Sequence, residues 1–174
     1  MMISFSLLKC LLYLPLFGVI ILCVIPSKYP FFLKLLTLII GGFSFLLSLM
    51  VWLNFDKSIG SFQFVTIITW IPFLNFNVVL GIDGISMFFL ILTNLLVFIC
   101  LLASWESIVE NVKFYLVLFL LLQFFLIGVF CILDLFIFYI FFESVLIPMF
   151  LLIGIWGSRE RKIKAAYYFF FSLF

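Results

Sequence analysis

Long apolar runs separated by short polar breaks make up almost the whole chain. The first runs from about residue 7 to 25 and stops at Pro26, where Pro-Ser-Lys-Tyr-Pro makes a turn. The second covers about 31–53, with Lys34 placed to snorkel from its start. The third covers about 84–102. A charged link, Ser104 to Lys113, separates it from the fourth at about 114–133. Asp134 marks a turn too short to hold any domain, and the fifth run covers about 135–155 before Trp156-Gly157-Ser158. Each run matches the roughly 20 apolar residues that a helix needs to span a hydrocarbon core about 30 Å thick. After the basic stretch 159–164, a sixth run over about 163–174 is predicted to rise about half that distance. The first run is too long for a signal-peptide core and lacks a small-x-small cleavage site, so it reads as a retained helix.

One segment breaks the helical rhythm. Between the second and third runs, Phe62, Phe64 and Thr66 alternate with polar or β-branched neighbours, Ile71-Pro72 interrupts, and Phe76 to Leu80 resumes. This predicts a surface β-hairpin over about 60–80. The expected fold is therefore an all-α, polytopic membrane protein. It forms a single transmembrane domain over 1–174, with five complete helices, the start of a sixth, and a short hairpin between the second and third.

Composition removes the soluble alternatives. Of 174 residues, 69% are hydrophobic and 9% charged, against about half and a quarter in a soluble domain. No soluble catalytic domain fits, so chemistry is sought among the few polar groups inside the membrane. The net charge of +2 argues against a nucleic-acid partner. Cys10, Cys23, Cys100 and Cys131 form no C-x-x-C pair, and histidine is absent. No metal or cofactor site is expected in this chain.

Charge also sets orientation. If the spans alternate, the links after the first, third and fifth helices share a side. They carry Lys28, Lys34, Lys113, Arg159, Arg161, Lys162 and Lys164, against Lys9 and Lys57 on the other. The positive-inside rule puts the basic loops in the matrix or cytoplasm and the hairpin opposite. The basic loop reads first as an anchor of topology, and its charge also suits lipid headgroups such as those of cardiolipin.

Among seven acidic residues, Glu143 alone sits inside a span, roughly 3 Å along the axis from the middle of 135–155. A carboxylate at that depth costs at least a few kcal/mol. Either it carries a proton, or a basic partner and water stabilise it; a hydrogen bond to a neighbouring helix is the structural alternative. Tyr139 lies one turn earlier on the same face and Ser144 is adjacent. Pro148 deprives the Ser144 carbonyl of its helical donor, which favours a kink and retained water. Asp134 lies about 13.5 Å away along the axis and near 180° around it. The two acids therefore cannot share a site, and Asp134 reads as an interfacial residue at a proton exit. Gln123, Thr93 and Asn94 are further polar groups within spans, with helix bridging expected of Thr93. No lysine lies at mid-membrane depth, so a carboxylate–lysine relay cannot be completed within the chain.

Three stretches carry a resemblance. Leu133-Asp134-Leu135 with Phe141-Phe142-Glu143-Ser144-Val145-Leu146-Ile147-Pro148-Met149 is the first, and 154–167, beginning Gly154-Ile155-Trp156-Gly157, is the second. The third is Leu80-Gly81-Ile82-Asp83-Gly84-Ile85-Ser86. Together they resemble the mitochondrial NADH dehydrogenase subunit 4 family, the antiporter-like, proton-pumping membrane-arm subunits of respiratory complex I. The resemblance implies a fourteen-helix fold of which this sequence covers about the first five and a half. It implies that Glu143 matches a fifth-helix glutamate coupled to lysines further along, which have no counterpart here. It also implies a mitochondrial inner-membrane location and a non-redox role, with flavin, iron–sulfur clusters and ubiquinone held by other subunits. The expected partners are other membrane-arm subunits, lipids, and a separate chain carrying the rest of a split subunit. Two other readings stand beside this one: a scaffold that carries no protons, and a subunit of a multisubunit sodium/proton antiporter.

Overall fold

The computed structural model describes residues 2–71, 76–157 and 164. Five helices and one hairpin follow in the order α1 (Met2–Val24), α2 (Pro30–Leu53), β1 (Gln63–Ile71), β2 (Phe76–Ile82), α3 (Gly84–Ser107), α4 (Val112–Cys131) and α5 (Leu135–Trp156). All five helices are long and apolar enough to cross a membrane. The expected all-α, polytopic architecture with its hairpin is therefore observed. The sixth run, 163–174, lies outside the described residues apart from Lys164.

Local chemistry sets the ends. Pro30 occupies the first turn of α2, where its missing N–H costs nothing. Asp83 opens α3 with a capping box, its carboxylate accepting from the Ser86 amide at 2.7 Å while Ser86 Oγ accepts from the Asp83 amide at 2.9 Å. Such a cap contributes about 1 kcal/mol. Asp134 is the N-cap of α5, its side chain accepting from the Phe136 and Ile137 amides without a reciprocal bond. Two boundaries differ from the sequence expectation. α1 starts at Met2 rather than near residue 7. α3 runs on to Ser107, absorbing the first part of the charged link, because Trp105 and the polar residues around it can lie along a helix end at the membrane surface.

The helices form one bundle in which α1 packs on α2 and α4, α2 on α3, α3 on α4, and α5 chiefly on α4. Lipid is as apolar as leucine, so close packing rather than hydrophobic transfer holds such helices together. Small side chains permit it: the buried face of α2 reads Leu33, Thr37, Gly41, Ser44, Ser48 and Val51. Gly128 serves the α4–α5 seam, since a Cβ there would lie 2.2 Å from Phe141 Cδ1. Phe141 in turn meets the rings of Phe124 and Phe125 at 5.5 and 5.8 Å.

The hairpin is not merely a surface feature. β1 and β2 pair antiparallel, with a bulge that sets Phe64 and Val65 opposite Gly81, and Phe64 takes the left-handed conformation (φ 55°). Thr66, Leu80 and Ile82 are buried. They turn inward because the chain between α4 and α5 completes the sheet: Leu80 bridges Ile132, and the Leu133 amide donates to the Val79 carbonyl at 2.9 Å. Gly81 allows the close approach, as a Cβ there would meet Leu133 Cδ1 at 2.8 Å.

Two apolar clusters fill the bundle. One, at the hairpin end, includes Leu8, Leu11, Leu80, Leu90, Ile127 and Ile137. The other, at the opposite end, includes Leu22, Leu33, Val97, Leu101, Tyr115 and Leu120. Between them lies the polar layer that holds the candidate site.

Candidate functional site

The polar layer is built from four helices. Ser44, Asn94, Gln123 and Glu143 each lie within three residues of the midpoint of α2, α3, α4 and α5 respectively. In every case the displacement is toward the hairpin end, by about 2–4 Å at 1.5 Å per residue. The four groups therefore share one depth.

Three of them are bonded together. Ser44, Asn94 and Gln123 are fully buried. Gln123 Nε2 donates to Ser44 Oγ at 2.7 Å and to Asn94 Oδ1 at 2.8 Å. Asn94 Nδ2 donates back to the Leu90 carbonyl at 2.8 Å, which orients its amide and leaves Oδ1 free to accept from Gln123. Three helices are thus tied at mid-membrane. Gln123 Oε1 finds no partner among the described residues. The bridging expected of Thr93 falls to Asn94 instead. Thr93 bonds its own helix through Phe89, because it lies about 100° around α3 from the face that Asn94 presents to α4.

Glu143 stands apart from this network. Phe141 packs into α4, and Glu143, two residues on, is turned about 200° from it. The helix α5 buries only Ile137 and Pro148 completely, and Tyr139, Phe142 and Ile147 are exposed along the face nearest Glu143. Glu143 itself is half-buried, and its Oε2 is shielded without a hydrogen-bond partner among the described residues. The exposed Tyr139 lies one turn earlier on the same face of α5. Ser144 does not join them: its hydroxyl donates to the Ile140 carbonyl at 2.7 Å. Pro148 is buried within an α5 that continues through it, so the Ser144 carbonyl still lacks its usual donor. Asp134 caps the start of α5, its Oδ1 accepting from the Phe136 and Ile137 amides. An open cavity of about 660 Å³ lies beside it, lined also by Leu135, Phe138 and Tyr139. Ser44 escaped notice in the sequence, although the spacing of Thr37, Gly41, Ser44 and Ser48 marks one face of a helix.

The far end of the bundle is held by cations. Lys34 Nζ donates to the Trp105 and Ile108 carbonyls at 2.6 and 2.8 Å. Lys113 Nζ donates to the Cys23 and Ile25 carbonyls at 2.9 and 2.8 Å. Each lysine sits at a helix C-terminus, where the macrodipole favours positive charge. Lys34 therefore caps α3 as well as reaching the surface. Trp156 Nε1 donates to the Glu110 carbonyl at 3.1 Å. These bonds place the ends of α1, α3 and α5 on one side, as the alternation of spans requires.

Known proteins resemble this chain over most of its length. NADH-ubiquinone oxidoreductase chain 4 of Chondrus crispus is 54% identical over 156 residues, which is 90% of this chain and 32% of the relative. That of Arabidopsis thaliana is 51% identical over 160 residues, again covering 32% of the relative. The chain is homologous to the N-terminal part of NADH-ubiquinone oxidoreductase chain 4. It spans about a third of the length of these chain 4 relatives. A family described as "NADH:quinone oxidoreductase/Mrp antiporter, TM" matches residues 132–174, a stretch that contains Asp134, Tyr139, Glu143, Ser144 and Pro148. Among solved structures, respiratory complex I from Thermus thermophilus superposes with a TM-score of 0.78 at 28% identity, covering 95% of this chain and 32% of that one. An archaeal respiratory membrane complex, the membrane-bound sulfane sulfur reductase, shares the fold with a TM-score of 0.74 at 22% identity. Chain 4 homology and five spans together make this a multi-pass membrane protein of antiporter-like fold.

Proposed function

We propose that this chain contributes a proton-carrying glutamate, Glu143, to the membrane arm of a proton-pumping NADH:ubiquinone oxidoreductase. The observation that carries the reading is the Oε2 of Glu143, shielded near mid-membrane and without a hydrogen-bond partner among the described residues. A carboxylate kept there without a use would be a net cost. Homology to chain 4 supports membership of the complex. Tyr139 offers the carboxyl group a hydroxyl, and Pro148 leaves the adjacent Ser144 carbonyl able to accept from water. Gln123 steadies the neighbouring helices, and Asp134 fixes the start of α5. Charge exchange with Glu143 would use lysines of the kind that the family resemblance couples to it, which have no counterpart among these spans. The partners are other membrane-arm subunits and lipids such as cardiolipin at the basic loop, while flavin, iron–sulfur clusters and ubiquinone belong to other subunits of the complex. The location follows as the mitochondrial inner membrane, with the basic loops in the matrix.

The deciding experiment is Glu143→Gln in the intact complex. It should lower proton pumping and coupled NADH:quinone turnover while assembly survives. Normal pumping in that variant would remove Glu143 from the mechanism and leave the chain a scaffold of the arm. The matched family description also includes antiporters, which supports a sodium/proton antiporter as second reading. Co-purification with flavin and iron–sulfur subunits separates the two.

A further inference from the structure

An open cavity of about 570 Å³ lies between the end of α1 and the start of α4, away from Glu143 and on the opposite side of the membrane layer from the hairpin. Its rim carries Ser27, Asn111 and Lys113 and its wall carries Val112, Phe114 and Val117. Val117 lies five residues along α4 from Val112, about 7.5 Å deeper into the membrane. The cavity is therefore polar and cationic at the surface and apolar below, which is the profile of a phospholipid at the glycerol level.

The charge is positive on balance. The C-terminus of α1 and the N-terminus of α4 meet here and offset one another, at roughly half a charge each. That leaves the Lys113 ammonium. Two of its three N–H bonds point to the Cys23 and Ile25 carbonyls, and the third remains to donate. Those two bonds fix the ammonium at the rim. Asn111 starts α4 in the left-handed conformation (φ 50°) with its side chain making no cap bond, so its amide is also available. Lys28 follows Ser27 and Glu110 precedes Asn111; these two charges balance, so among the described residues lining the cavity Lys113 sets the sign.

We infer that this cavity binds the phosphate of an anionic phospholipid, with Lys113 and the Asn111 amide on the headgroup and the acyl chains along Phe114 and Val117. The inference rests on the placement of the spans and not on Glu143, so it stands or falls separately from the proton-carrying reading.

The test uses the intact membrane complex in vesicles containing either photoactivatable phosphatidylglycerol or photoactivatable phosphatidylcholine, with adducts mapped by mass spectrometry. Phosphatidylglycerol should label the 109–117 segment about fivefold more than phosphatidylcholine, the selectivity expected of one lysine facing an anionic lipid. Excess inorganic phosphate should not displace it. Lys113→Gln should abolish the preference, but it also loosens the end of α1. Asn111→Asp and Ser27→Glu leave the Lys113 bonds in place and should reduce labelling to the phosphatidylcholine level. Equal labelling by both lipids would overturn the inference. So would displacement by phosphate, which would mark a free-ion site, or an absence of adducts because a protein neighbour fills the cavity.

Discussion

Gln123 Oε1 and Glu143 Oε2 are the two shielded side-chain oxygens without a hydrogen-bond partner among the described residues, and they lie at one depth on the adjacent helices α4 and α5. Their settings differ. Gln123 is enclosed by α2 and α3 and spends its amide N–H groups on Ser44 and Asn94. Glu143 looks away from the described bundle, along the one helix that is poorly covered. The first is a fastening with one unused acceptor. The second is an acid set on the outer face of the described helices.

Gln123 makes a direct test of this distinction. Gln123→Met removes two interhelical bonds together with an acceptor that has no donor, so the cost should be small. About 0.5–1.5 kcal/mol is expected, the range of hydrogen bonds between membrane helices. Gln123→Glu keeps the shape but sets a carboxylate against Asn94 Oδ1, at a cost of at least a few kcal/mol. Native gel electrophoresis of the complex should show near-normal assembly for the first variant and failure for the second. Equal behaviour of the two would mean that the buried network does not discriminate charge.

Gly128 tests the α4–α5 seam that presents Glu143. A Cβ at this position cannot coexist with the Phe141 ring where it lies, so Gly128→Ala should destabilise by about 1–3 kcal/mol. Phe141→Ala removes the obstruction. The double variant should therefore lose less stability than the two single losses added together, as measured by thermal unfolding of the detergent-solubilised complex. Strict additivity would show that the two residues do not interact.

Asp83 gives a pH dependence with a definite sign. The Ser86 backbone amide first, and its hydroxyl second, hold the Asp83 carboxyl below the usual carboxylate range. A depressed native value means that the cap stabilises α3 above the unfolded carboxylate range near pH 4. That stabilisation is lost as pH falls through the lower native value. Hydrogen exchange at the Ser86 and Met87 amides should accelerate on acidification beyond the intrinsic rate change. Asp83→Asn, still a good N-cap residue, should lose this pH dependence while keeping most of the protection at neutral pH.

Much of the architecture was legible in the residues. Apolar runs of about 20 residues located five spans to within a few positions at most boundaries, and the alternation around Phe62 to Leu80 located the hairpin. Asp83 and Asp134 stand where helices begin, and their caps depend only on residues two or three positions ahead. Less legible was the use of the polar side chains. Thr93 and Asn94 are neighbours in sequence and look equally able to bridge, yet one turns to its own helix and the other to Gln123. Lys34 reads as a snorkelling cation, yet it caps a helix more than seventy residues away.

The sequence by itself determined the number of spans, their alternation, the excess of positive charge on one side, and the presence of a single acid in the interior. Each of these depends on hydropathy or charge within one stretch of chain, and the bilayer acts on such stretches one at a time. Only the tertiary structure decided that Ser44, Asn94 and Gln123 meet, that the hairpin is completed by the α4–α5 turn, and that Glu143 faces away from α4. Those outcomes depend on how helices rotate and slide against one another. That relation is set by where small residues such as Gly41 and Gly128 let two backbones approach, and no single stretch encodes it.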